Sequence, residues 1–175
     1  QLGPEQISQR SRIGISVTSQ IPVNGYQYDM TGHAQQCVDK YLELSGKEIS
    51  SLKAVTTPCI DDHQLPPEDF ESKGQLASSA ARIVLKALFL ARMNRVDIIW
   101  SVNALAREVT RWNVACDKRL HRLISWLNCT KDWVLTAFVG DRVQDCHLAL
   151  YCDASFASDL RDSKSTSGGY LCLVG

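Results

Sequence analysis

No two of the seven cysteines (Cys37, Cys59, Cys116, Cys129, Cys146, Cys152 and Cys172) stand in C-x-x-C spacing, and their number is odd. That argues against a disulfide framework. The thiols read as reduced and mostly buried, as in an intracellular protein of cytoplasm or nucleus. Cys116 with His121, or Cys146 beside His147, offers two ligands where tetrahedral zinc needs four. No apolar run reaches membrane-spanning length and no charged-then-apolar signal opens the chain, so no membrane partner is expected. A net charge is lacking too, since nineteen basic residues balance nineteen acidic ones over 175 residues. Nor is a nucleophile–base–orienter set visible; Asp153 with His147 or His121 comes nearest to a hydrolase.

What is present is charge of each sign, kept apart. Residues 82–131 hold ten lysines and arginines against three acids, Asp97, Glu108 and Asp117. Residues 43–74 reverse the balance, with seven acids against Lys47, Lys53 and Lys73. A basic block in a neutral chain reads either as a surface for a polyanion or as a set of solvated helix faces.

Period and turn chemistry divide the chain into elements. Residues 12–17 alternate through Ile13, Ile15 and Val17, and Asn24-Gly25 is a type I′ turn signal with Tyr26 and Tyr28 beyond it, so a β-hairpin is expected there. Asp29 or Thr31 can then cap a helix whose stripe is Ala34, Cys37, Val38, Tyr41 and Leu42, ending at Gly46. His33, in its first turn, reads as a surface residue. Residues 51–74, with Pro58, Pro66, Pro67 and the acids, read as a connector. The strongest helix spans 75–93, with Leu76, Ala80, Ile83, Val84, Ala87, Leu88 and Ala91 on one stripe. A second starts near Asp97, an N-cap candidate, and a third covers 114–129. Together they predict a small bundle, in which Trp100, Trp112 and Trp126 serve as packing residues or base-stacking platforms. Residues 133–139 alternate as a strand, and residues 140–145 turn.

Residues 148–175 follow. The first strand puts Leu148, Leu150 and Cys152 on one side and ends at Asp153; a polar turn and a second strand, 170–174, complete the stretch. A carboxylate at such a place is either a polar strand end or a metal ligand beside a solvent-accessible loop. The run Asp153-Ala154-Ser155-Phe156-Ala157-Ser158-Asp159-Leu160-Arg161-Asp162-Ser163-Lys164-Ser165-Thr166-Ser167-Gly168 resembles, without gaps, the start of the ribonuclease H domain in copia-type LTR-retrotransposon polyproteins. The family pattern there is approximately D-A-D-W-A-G-D-x-x-D-R-K-S-T-S-G. This chain departs from it at Ser155, Phe156, Ser158 and Ser163.

Two further segments resemble the same family: Asn94-Arg95-Val96-Asp97-Ile98 with Val102-Asn103-Ala104-Leu105-Ala106-Arg107, and the residues from Arg119 to Asp132. Val96 stands for the family's proline and Cys129 for its glycine. Against that order, Cys59-Ile60-Asp61-Asp62 imitates the paired aspartates of a reverse transcriptase palm. No alternating strands flank it and prolines bracket it, so Asp61 and Asp62 read as solvated connector residues.

The resemblance covers most of residues 26–175. It implies an α+β chain in four segments: 1–50, the end of the reverse transcriptase palm or thumb region; 51–74, a connector; 75–132, a thumb-like helical bundle; and 133–175, the first antiparallel strands of an incomplete ribonuclease H-like domain. It implies a fragment whose parent performs RNA-directed DNA synthesis and degrades the RNA strand of hybrids with magnesium. Asp153 matches the family's first catalytic, metal-bridging aspartate, and Asp159 and Asp162 match acids of the turn. Two-metal chemistry needs several carboxylates, so this piece is expected to be inactive alone and to hold no ion stably. Its expected partners are the rest of the polyprotein and an RNA/DNA hybrid or other duplex, contacted through Arg107, Arg111, Lys118, Arg119 and Arg122. The alternative is a non-catalytic helical interaction or nucleic-acid-binding module derived from a retroelement.

Overall fold

Helices form where the apolar spacing runs longest, and each then needs a neighbour to cover its stripe. The computed structural model describes residues 24–156 and 165–175. In order come β1 (Asn24–Tyr28), α1 (Thr31–Ser45), a single-turn α2 (Glu68–Glu71), α3 (Ala80–Met93), α4 (Ile99–Arg107), α5 (Val114–Cys129), β2 (Leu135–Val139), β3 (His147–Ser155) and β4 (Thr166–Val174). The mixture is α+β. It divides into two units, Gln27–Thr136 and a second made of Gln1–Tyr26 with Ala137–Gly175. The expected strand at residues 12–17 and the acids Asp159 and Asp162 lie outside the described residues.

Asn24 and Gly25 do not form a turn; they begin β1, which pairs with β2 in a two-stranded sheet. The local turn signal yields to a partner more than a hundred residues away, where two β-favouring tyrosines meet Leu135–Val139. The first helix starts where expected, with the Thr31 N–H donating to the Asp29 carboxylate at 2.8 Å. It ends at Gly46, whose φ of 66° is left-handed and whose N–H reaches the Leu42 carbonyl.

The core of the larger unit is one cluster drawn from four helices, not three. Ala34, Cys37, Val38 and Tyr41 of α1 are buried with Ile83, Val84, Ala87 and Leu90 of α3, Val102 and Leu105 of α4, and Leu120, Leu123, Ile124 and Leu127 of α5. The core therefore runs across the expected boundary at residue 50. α3 also begins later than its stripe, because Asp117 of α5 accepts from the Gln75 and Leu76 N–H groups at 2.5 and 3.2 Å and holds 75–79 as turns. Beside it, the Gly74 N–H donates to the Trp112 carbonyl, and a Cβ at Gly74 would lie 2.5 Å from the Asn113 carbonyl oxygen. Only glycine fits there.

Asp97 caps no helix. Arg95, 3% exposed, grips both of its oxygens at 2.9 and 2.8 Å and donates to the carbonyl and hydroxyl of Thr130 at 2.9 and 2.6 Å. The Trp126 indole N–H takes Asp97 as well, at 2.8 Å, and the guanidinium lies 5.4 Å from the Trp133 ring centre. The end of α5, which lacks a left-handed glycine at Cys129, thus has a cation on the Thr130 carbonyl. Burial pushes the Asp97 carboxyl up, but hydrogen bonds from Arg95 and Trp126 and the Arg95 charge outweigh it and hold the group below the usual range.

In the smaller unit β3 and β4 form an antiparallel ribbon whose register sets Leu148 opposite Leu173, Leu150 opposite Leu171 and Asp153 opposite Gly168. Residues directly opposite share a face, so four leucines lie together, and each is 59–70% exposed. The expected alternation is present, but among the described residues nothing covers its apolar side.

Replacing Arg95 by Leu leaves Asp97 with only the Trp126 indole as donor and takes the charged donor from the Thr130 carbonyl, which keeps the Trp133 N–H; the change is expected to cost about 3 kcal/mol. Arg95→Lys recovers only part, since an ammonium cannot fork. Denaturant unfolding measures both, and a loss below about 0.5 kcal/mol for Arg95→Leu would remove the cluster from this role.

Candidate functional site

Asp153 lies near the end of β3, exposed, with the side-chain-free Gly168 across from it. The ribbon fixes its backbone and leaves the carboxylate open to solvent. A single carboxylate offers a divalent cation one or two oxygens of the six it prefers. Among the described residues no group of three His, Cys, Asp or Glu side chains could hold a metal ion.

Three of the basic candidates, all on α5, are met by the connector. Lys118 pairs with Asp69, and Arg119 pairs with Asp62 while its guanidinium stacks 5.4 Å from the Phe70 ring centre. Arg122 donates to the carbonyl and hydroxyl of Thr57 at 2.8 and 3.0 Å. Asp62 is thus an ion-pair partner and not merely a solvated connector residue, and the Asp61 carboxylate accepts from the His63 N–H at 3.3 Å. Arg111 clasps Glu108 at 3.0 and 3.3 Å. Arg107, exposed at the end of α4, stands apart from these ion pairs. The opposite charges that the sequence keeps apart meet in the fold.

The tryptophans divide in the same way. Trp112 is 4% exposed and donates to Asp117, and Trp126 donates to Asp97 and meets Trp133 edge-on, so both are structural. Trp100 is 59% exposed and free to stack. None of the seven thiols is in a disulfide, and only Cys37 and Cys116 are buried, whereas Cys129 and Cys152 are exposed. Burial pushes the Cys37 thiol up to about 11, so it is inert.

Sequence reasoning missed a cavity of about 460 Å³ walled by the end of α1, the loop that follows it, the turn at Gln75 and one face of α5. Its floor is a pair, the Tyr41 hydroxyl and His121 Nδ1, sharing a hydrogen bond of 2.8 Å. Burial first, then the charge of Asp117, drives Tyr41 up to about 12 against a hydrogen bond from Ser45. Burial first, then the charge of Lys47, lowers His121, against a hydrogen bond to the Ser51 backbone. A signal for this wall existed: Asp117, His121 and Ser125 recur at i, i+4 and i+8 beside the apolar stripe, a polar row on a half-buried face.

No protein-family model, curated protein or solved structure matches this chain. Among the described residues no helix is long and apolar enough to cross a membrane.

His121 resists protonation in the folded chain, whereas the unfolded chain takes up the proton near the ordinary 6.5. Its contribution to stability is therefore complete above pH 6.5 and declines as pH falls from there toward the lowered folded value. Asp97 acts in a separate, lower window: its contribution is present above 3.8 and is lost as pH falls through its depressed folded value. Thermal midpoints from pH 8 to pH 5 should fall less steeply in His121→Gln than in the parent; parallel slopes would exclude His121 as the group concerned.

Proposed function

We propose that this chain is part of a copia-type polyprotein, from the junction between reverse transcriptase and ribonuclease H, and that by itself it contacts a nucleic-acid duplex without cutting it. What carries the reading is the ungapped run from Asp153 to Gly168. Its two ends are directly opposed on the β3–β4 ribbon, so the first acid and the closing glycine of the motif belong to one hairpin. The helical segments that match the family supply the cations, and magnesium belongs to the parent, to which Asp153 contributes one ligand. Inactivity of the piece follows from chemistry, because activating water and stabilising the leaving oxygen requires two ions and several carboxylates.

Phosphate contacts by exposed arginines give affinity that is independent of sequence and sensitive to salt. Of the five candidate cations, Arg107 is exposed and outside the ion pairs, while Lys118 and Arg119 are held by Asp69 and Asp62. A second reading, a helical interaction module that retains the fold without the chemistry, draws on a different surface. Leu85, Phe89 and Met93 at i, i+4 and i+8 of α3, with Val96 and Trp100 beyond, are each 50–59% exposed and form an apolar row.

The purified chain should retard an RNA/DNA hybrid in low salt and release it as salt rises, with a slope of roughly one counterion per phosphate contact. Asp62→Asn frees Arg119 and should tighten binding by roughly twofold to fivefold, the worth of an exposed pair, whereas Arg107→Ala should weaken it. Absence of retardation at low salt would leave the basic block as a solvated face. Magnesium-dependent hydrolysis of the RNA strand that vanishes in Asp153→Asn would overturn the inactivity.

A further inference from the structure

We propose that the cavity over Tyr41 and His121 is a binding site for a small organic phosphate, its phosphate held by Lys47 and Lys53 and its body lying against aliphatic side chains. This stands apart from the duplex reading, since it concerns a concave site of single-molecule size. About 460 Å³ falls within the range of small-ligand pockets and is far too small for a duplex.

The charge of the lining is the first argument. Lys47, Lys53, Lys118 and Arg122 border the cavity against a single acid, Asp117. That acid is fully engaged elsewhere, accepting from the Gln75 and Leu76 N–H groups and from the Trp112 indole. Lys118 and Arg122 are held at the rim by Asp69 and Thr57. Among the described residues, Lys47 and Lys53 have no acidic partner. Two ammonium groups at one concavity repel each other unless an anion lies between them, and a dianionic phosphate offers several strong acceptor oxygens.

The remaining lining sets what the phosphate is attached to. Val55, Ile60, Leu65 and Leu76 give the cavity an aliphatic wall. Inorganic phosphate leaves that wall wet, whereas a phosphomonoester with a planar or apolar body covers it. The floor is neutral, since burial and the neighbouring Lys47 keep His121 from carrying charge near neutral pH and Tyr41 keeps its proton. A neutral floor with hydroxyl and imidazole groups suits the hydroxyls of a sugar or polyol linker, with the cations reserved for the phosphate.

Adenosine 5′-monophosphate is a suitable probe, with adenosine and inorganic phosphate as its two halves. Calorimetric titration of the whole chain should show saturable binding of the nucleotide, weaker binding of phosphate and none of adenosine. The double variant Lys47→Ala, Lys53→Ala should bind the nucleotide roughly tenfold or more weakly, while Lys47→Arg, Lys53→Arg retains it and Arg107→Ala is without effect. Both lysines are exposed. An unchanged circular dichroism spectrum and thermal midpoint would assign the loss to the site. Equal binding of adenosine and the nucleotide, or no binding of either nucleotide or phosphate at millimolar concentration, would overturn the proposal. Loss of hybrid retardation with nucleotide binding intact would count against the duplex reading alone.

Discussion

A single buried guanidinium ties the helical unit together. Arg95 lies in the tight junction between α3 and α4, yet its two strongest attachments point in different directions: to Asp97 two residues on, and to Thr130 beyond the end of α5. The first fixes the bend that lets α4 fold back on α3. The second anchors the end of α5, adding a charged donor to the Thr130 carbonyl beside the Trp133 N–H. Trp126 and Trp133 then pack around the same ion pair, so helix direction, helix termination and aromatic packing all depend on one charge being where it is. Burying an ion is costly, and this one is offset by the Asp97 carboxylate, the Thr130 carbonyl and hydroxyl and the Trp133 ring face.

The same economy operates on the opposite side of the unit. Acids and bases segregated along the chain become partners across α5, with Asp62 on Arg119 and Asp69 on Lys118. A connector of low apolar content would have little to hold it against a helix; its charges supply what its side chains lack. The consequence for recognition is that net basicity along a sequence overstates basicity on a surface. It also leaves the two lysines that precede the acids, Lys47 and Lys53, unmatched.

Where apolar period governs, the sequence was a sufficient guide. The bounds of α5 and the left-handed stop at Gly46 follow from local residues alone, as does the alternation that places Leu148 and Leu150 on one face of β3, whereas the β3–β4 register is what adds Leu171 and Leu173 to that face. What could not be read was set by groups distant in sequence. Asn24-Gly25 has the chemistry of a turn, and only β2 makes it a strand. Asp97 has the chemistry of a cap, and only Arg95 and Trp126 explain its actual use. The stripe of α3 runs through Leu76, but a carboxylate from α5 delays the helix to Ala80. The cavity was hard to read for the same reason, since its walls come from four stretches that no period connects, and only the polar row on α5 gave a local sign of it. Asp153, by contrast, was legible only through a family pattern.

The uncovered ribbon separates two properties that usually travel together. Among the described residues its leucines are exposed, its outer edges pair with no further strand, and it takes no share in the helical core. Paired strands with bare edges and an apolar face are templates for further strands from other copies. Colloidal behaviour is then governed by a few residues around Leu150 and Leu171, whereas the melting temperature is governed by residues around Arg95. A chain made more heat-resistant by better helices would be no more soluble for it, and a lysine on the ribbon's leucine face would keep it in solution without raising its melting point at all.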